Sequence, residues 1–191
     1  ARCLDAGKAC VDEQAGLAYD PVLPRDRLLI LGAGHVGRAL ARAASEIGFA
    51  VSIADDRPEH LALVASDAAI ELVRSDYSAA VENFAFDAAT WVVIVTRGHY
   101  QDLECLRAAL RSECRYVGCL GSQRKGRLLL HQLRHEGFAD ERLSALHVPV
   151  GLDLNAGTPG EVAIAILAEM VAVRRNAASL AALELARTGE E

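Results

Sequence analysis

Short unbroken apolar runs alternate along this chain with stretches whose apolar residues recur every three or four positions. The first run, Arg27–Leu31 (RLLIL), has the continuous apolar character of a strand covered on both faces of a parallel sheet. Glycines follow it directly. Val36, Leu40, Ala43 and Ile47 then repeat at helical spacing until Gly48 offers a left-handed stop. Phe49–Ala54 (FAVSIA) predicts a second strand that ends at Asp55, Asp56 and Arg57, since Pro58 opposes continuation of a central strand. A weaker third strand falls within Ala69–Val73. Trp91–Val95 (WVVIV) is the most strand-like stretch, and Leu103, Leu106 and Leu110 after it mark a helix. The unit recurs as a strand at Tyr116–Leu120 and a helix from about Arg124 to Glu136, terminated by Gly137. Leu146–Val150 is the last strand. Thr158, Pro159, Gly160 and Glu161 spell a capping box with Pro at the first helical position, so a helix runs on through Val162 to Arg174. Apolar residues nearly encircle that helix, which implies burial.

Strands alternating with helices at these spacings predict right-handed β-α-β units and an α/β fold with a doubly wound parallel sheet. That domain is expected over residues 26–176, with 1–25 as an N-terminal extension or linker and 177–191 as a helical tail. The tail would reach a second copy, as in a homodimer, or a missing N-terminal part. Residue 1 is Ala and Pro21 and Pro24 precede the first strong strand, which suggests that the start was cut from something longer.

Composition narrows the function classes. An apolar content of 52% with a net charge of −6 describes an acidic globular protein, and its basic residues are scattered rather than clustered, which argues against nucleic acid as partner. No apolar run approaches the roughly 20 residues of a membrane span, and the first ten residues lack the order of a signal peptide. Cys3, Cys10, Cys105, Cys114 and Cys119 form no C-x-x-C pair, and their odd number fits a reducing, cytoplasmic setting. No metal site is expected. His131 and His135 share a helix face, but no H-E-x-x-H glutamate or third ligand accompanies them.

Between the first strand and its helix lies GAGHVG, a G-x-G-x-x-G fingerprint in the strand-turn-helix setting that gives it meaning. Gly32 permits the tight turn, Gly34 lets backbone amides approach a phosphate, and Gly37 lets the helix pack closely, so this is a Rossmann-type nucleotide-binding turn. His35, inside the turn, faces the ligand or covers the turn. Asp55, about 20 residues on, is placed to accept from a ribose hydroxyl as in NAD, while Arg57 keeps NADP open. Alternatively the glycines only shape the turn and no nucleotide binds.

Ligands of open parallel sheets lie beyond the carboxyl ends of the strands. Arg97 and His99 follow WVVIV, Gly121, Ser122 and Lys125 follow the next strand, and Asp153 and Asn155 follow the last. Lys125 and Ser122 suit an anionic group, or Ser122 only caps a helix. His99 is the one candidate for a catalytic acid or base. No Tyr-x-x-x-Lys pair, G-x-S-x-G elbow or Walker lysine is present.

From about Pro24 to Arg175 the chain resembles the Rossmann domain of the XdhC/CoxI family, accessory proteins of xanthine dehydrogenase and related molybdenum hydroxylases. The resemblance rests on LLILGAGHVGRALARAA, ADDRPE, VTRGHYQDLECLRAAL, YVGCLGSQRKGRLLL and PVGLDLNAGTPGEVAIAI. It implies a protein that binds the molybdenum cofactor (molybdopterin), protects it during terminal sulfuration and helps insert it into an apo molybdenum hydroxylase, with a sulfur-donating desulfurase as second partner. Full-length members carry an N-terminal domain with a Gly-Gly-Cys segment that is not found here, and Asn155 stands where Gly is more usual. Two other readings stay open: an NAD(P)-dependent oxidoreductase with His99 as proton donor, and a non-catalytic nucleotide sensor.

Overall fold

A computed structural model describes residues 10–12, 16–19 and 25–175. The tail 177–191, most of the N-terminal segment, Pro21 and Pro24 lie outside these residues. Within that segment β1 (Cys10–Asp12) and β2 (Leu17–Tyr19) pair antiparallel, Cys10 opposite Tyr19, which the sequence pattern does not announce because three residues are too few to show alternation.

Among the described residues six strands form one all-parallel sheet: β3 (Arg27–Leu31), β4 (Ala50–Asp55), β5 (Ile70–Arg74), β6 (Thr90–Ile94), β7 (Tyr116–Cys119) and β8 (Leu146–His147). Their order is β5-β4-β3-β6-β7-β8, so the chain winds outward from β3 in one direction, returns to β6 beside it, and winds outward in the other. This is the doubly wound Rossmann order, with its switch point between β3 and β6. The connecting helices are α1 (His35–Glu46), α2 (Pro58–Ala62), α3 (Tyr77–Glu82), α4 (His99–Arg111), α5 (Gln123–His135), α6 (Asp140–Leu143) and α7 (Pro159–Arg174).

Successive strand residues face opposite layers, and each layer has its own core. Leu28, Ile30, Trp91 and Val93 meet Leu40, Ala41 and Ala44 of α1 and Ile166 and Met170 of α7. Leu29, Leu31, Val92 and Ile94 meet Val81 of α3, Leu106 and Leu110 of α4, and Leu129 and Leu133 of α5. Burial on both sides is why RLLIL and WVVIV are continuous runs rather than alternating ones. Each of these large side chains stabilises the fold by about 1.5–3 kcal/mol relative to exposure.

Two expectations change. The last strand is two residues long rather than five, since Pro149 has no N–H to donate to a ladder. And α7, apolar nearly all round, is buried on one side only: Ile164 is 59% exposed and Val171 36%. It forms the outer layer over α1 and the sheet, so its far side has no element of this sheet to meet. The capping box at its start is made as expected, Thr158 N–H donating to Glu161 and Glu161 N–H to Thr158 Oγ1. No helix of the described residues is long and apolar enough to cross a membrane.

Candidate functional site

The site is the mouth of α1, at the carboxyl end of β3. Gly32 takes a positive φ of 116°, and its N–H donates to Ala54 O at 2.8 Å. A Cβ there would lie 2.6 Å from Val95 O, and one at Gly37 would lie 1.9 Å from Gly32 O, so both glycines are required by close backbone approach. Gly34 differs: its Cβ position is open, and as N-cap of α1 it has no side chain to bond the first-turn amides. Those amides, at the positive end of a 12-residue helix, therefore carry no side-chain cap. His35 is exposed beside them.

Ala33, between the glycines, is fixed on every polar side. Its N–H donates to Asp55 Oδ2 at 2.7 Å, and its carbonyl accepts from Arg38 Nη1 at 2.8 Å and faces His60 Nδ1 at 3.3 Å. Asp55, expected to await a ribose, is 0% exposed. Arg57 grips it bidentately, Nε to Oδ1 and Nη2 to Oδ2 at 2.8 Å each, and Arg57 N–H and Tyr77 OH add bonds at 3.0 and 3.3 Å. Burial pushes the carboxyl up, but the Arg57 bonds and the Ala33 amide outweigh it and hold Asp55 below its usual range. Beside it a recess of about 100 Å³, lined by Asp56, Asp76, Tyr77, Ser78, Gln101 and Glu104, is acidic and smaller than a nucleotide site.

Across the switch point the ends of β6 and β7 converge. Lys125 Nζ donates to Asp102 Oδ2 at 2.5 Å and to Leu120 O at 2.7 Å, and Thr96 Oγ1 donates to Asp102 Oδ1 at 2.5 Å. Asp102 is 2% exposed and the Lys125 side chain 13%. Gly121 makes the arrangement fit, because a Cβ there would come 2.5 Å from Lys125 Cδ. Ser122 caps α5 by accepting from Lys125 N–H at 3.2 Å, while Arg97 is exposed in the loop before α4. His99 opens α4; its side chain lies outside what the structure describes.

Cys105 and Cys119 are fully buried, and burial first, then Asp102, pushes both thiols up to about 12. Both thiols are thereby held away from the nucleophilic thiolate form. Asn155 adopts φ 54°, a left-handed conformation that Gly or Asn takes most readily.

The turn residues Gly32, Gly34, His35 and Gly37 are legible in the sequence as a unit, and Arg97, Gly121, Ser122 and Lys125 do gather at the same end of the sheet. Thr96, His60, Tyr77 and Arg38 join them without forewarning, and so does Asp102 with little. Asp102 carries a faint signal, since an acid in the first turn of a helix suits its dipole.

Comparison with known proteins agrees with this fold. Residues 28–170 match the family model described as the XdhC Rossmann domain. The chain is 39% identical over 154 residues to the uncharacterized protein YqeB of Escherichia coli K12, covering 80% of this chain and 28% of that protein. It is 26% identical to a probable xanthine dehydrogenase component of Bacillus subtilis 168, over 87% of this chain and 48% of the relative. Over 46% of its length it is 32% identical to the molybdenum cofactor insertion chaperone PaoD of Escherichia coli K12, covering 28% of that protein. Among solved structures, a xanthine dehydrogenase from Bacillus halodurans superposes with a TM-score of 0.70 at 30% identity, over 84% of this chain and 45% of that one. The chain thus spans less than half the length of these relatives.

Proposed function

Because the chain belongs to the XdhC family through its Rossmann domain, we propose that it serves in the maturation of a molybdenum hydroxylase, holding the molybdenum cofactor for sulfuration and insertion. The observation that carries this reading is the open mouth at Gly34, where the helix amides have no side-chain cap and, among the described residues, nothing fills the space a Cβ would take. The cofactor's phosphate is the chemical group such a mouth accepts. The residues fit that group: the amides following Gly34 would hold it, and exposed Arg97 and the Ser122 hydroxyl at the neighbouring strand ends would add charge and a donor. When bound, the cofactor supplies the molybdenum centre on which the client's redox chemistry runs. The chain's own part is to bind and orient, so this is a carrier rather than a catalyst. An apo molybdenum hydroxylase would take the cofactor from it, and a sulfur-donating desulfurase would act while it is held.

The substitution Gly34→Asp tests this. Its backbone (φ −67°, ψ −173°) is extended, so Asp is accommodated, and an Asp at an N-cap bonds the same first-turn amides a phosphate would need. The variant should melt at or above the wild-type temperature yet bind the molybdenum cofactor, presented anaerobically, at least tenfold more weakly. Unchanged binding would remove the α1 mouth from the reading.

A further inference from the structure

Asp55 and Arg57 adjoin this mouth but do not face a guest, and that decides which guests it admits. We infer that Arg57 gates the α1 mouth against nucleotides: paired with Asp55, it takes up the hydrogen-bonding places that an adenosine ribose needs, so a phosphate group enters without an NAD- or NADP-type ligand. The inference rests on the reading that the mouth binds an anion.

A carboxylate offers about four acceptor sites. Asp55 spends them on five donors: Arg57 Nε and N–H at Oδ1, and Arg57 Nη2, the Ala33 amide and Tyr77 OH at Oδ2. With 0% exposure, nothing remains for a ribose diol. Swinging Arg57 aside would strand a buried negative charge, the costliest way to open the site.

Arg57 is also held from its far side. Its Nη1 lies 2.7 Å from His60 Nε2, and because a guanidinium only donates, that nitrogen accepts and His60 Nδ1–H turns to Ala33 O at 3.3 Å. The gate thus closes a ring through Ala33, Asp55, Arg57 and His60. A 2′-phosphate has no better prospect than a diol. Arg57 is neutralised by Asp55, and Asp56, Asp76 and Glu104 gather in the adjoining recess. Like charges there repel a phosphate placed where NADP would carry it.

Titration calorimetry on the purified chain with pyrophosphate, ADP, 2′-deoxy-ADP, NAD and NADP separates the two claims. Wild type should bind pyrophosphate, gain less than twofold from the adenosine of ADP, and fail to distinguish ADP from 2′-deoxy-ADP. In Arg57→Gln, which removes the two guanidinium donors of the five on Asp55 and so opens acceptor places, ADP should tighten at least tenfold and 2′-deoxy-ADP should not follow. A wild-type protein that binds ADP or NAD tenfold more tightly than pyrophosphate, and loses that gain with 2′-deoxy-ADP, overturns the gate. So does a folded Arg57→Gln that gains no ADP affinity. Should this variant not fold, the wild-type comparison of ADP with its deoxy form decides alone. Absence of pyrophosphate binding in both proteins removes the anion reading and the gate with it, whereas pyrophosphate binding with no gain of ADP affinity in a folded Arg57→Gln overturns the gate alone.

Discussion

Lys125→Met tests how the strand-end cluster is held together. The lysine bonds Asp102, which is 2% exposed, and replacing it with an apolar side chain of similar length leaves that carboxylate in place with Thr96 as its one side-chain donor among the described residues. Breaking a buried ion pair by removing one partner costs about 3–5 kcal/mol. The retained Thr96 bond and the 13% exposure of Lys125 place the expectation at the low end, near 3 kcal/mol. For a domain of this size each kcal/mol moves the midpoint by about 2–4 °C, so the melting temperature should fall by about 6–12 °C. Removing both charges, as in Asp102→Leu with Lys125→Met, should recover most of the loss, because a buried pair replaced by apolar groups is often near neutral. Thermal denaturation followed by circular dichroism measures Lys125→Met, Asp102→Leu alone and the double variant, and the effect should persist at high salt, since buried charges are weakly screened. A fall of less than about 2 °C in the single variant, or strict additivity in the double, would show that the pair carries no coupling.

Two further expectations follow from the packing and charges. Gly37→Ala places a methyl 1.9 Å from Gly32 O and 3.2 Å from Val95 Cγ2, which should cost at least the 1–3 kcal/mol typical of overpacking, whereas Gly34→Ala, whose Cβ meets nothing, should melt within about 2 °C of wild type; equal melting of the two would refute the close approach. For Glu169, burial raises the carboxyl, but bonds from His147 and Tyr116 and the Gly151 amide outweigh it and hold the group below its ordinary 4.5, as Asp55 is held below 3.8. Groups with lowered folded-state values lend stability above their unfolded values and lose it as pH falls through the folded ones. The urea midpoint should therefore stay level from pH 7 to about pH 5 and decline below about 4.5, less steeply in Glu169→Gln; parallel decline in both proteins would take Glu169 out of the acid response.

What the sequence discloses follows from where each signal resides. RLLIL and WVVIV are readable because burial on both faces leaves a continuous apolar run, and GAGHVG because its parts are consecutive and its neighbours declare strand and helix. The short helices α2, α3 and α6, of five, six and four residues, hold too little periodicity to register, although Asp76 capping Ala79 N–H at 2.8 Å leaves a trace for α3. Site chemistry is hidden for a different reason. Lys125 and Asp102 are 23 positions apart and Tyr77 and Asp55 are 22 apart, joined only by the folded sheet. Asp55 and Arg57 are near neighbours in sequence, but each taken alone points to a ligand, whereas the shorter path is to each other.

The bonds at Ala33 reach beyond stability. A loop tethered through its amide to Asp55 and through its carbonyl to Arg38 and His60 has little left to order when something docks against it. Encounter there would resemble a key meeting a rigid lock, without the entropic toll of freezing a mobile segment, so tightness would be expressed chiefly in how slowly the guest departs.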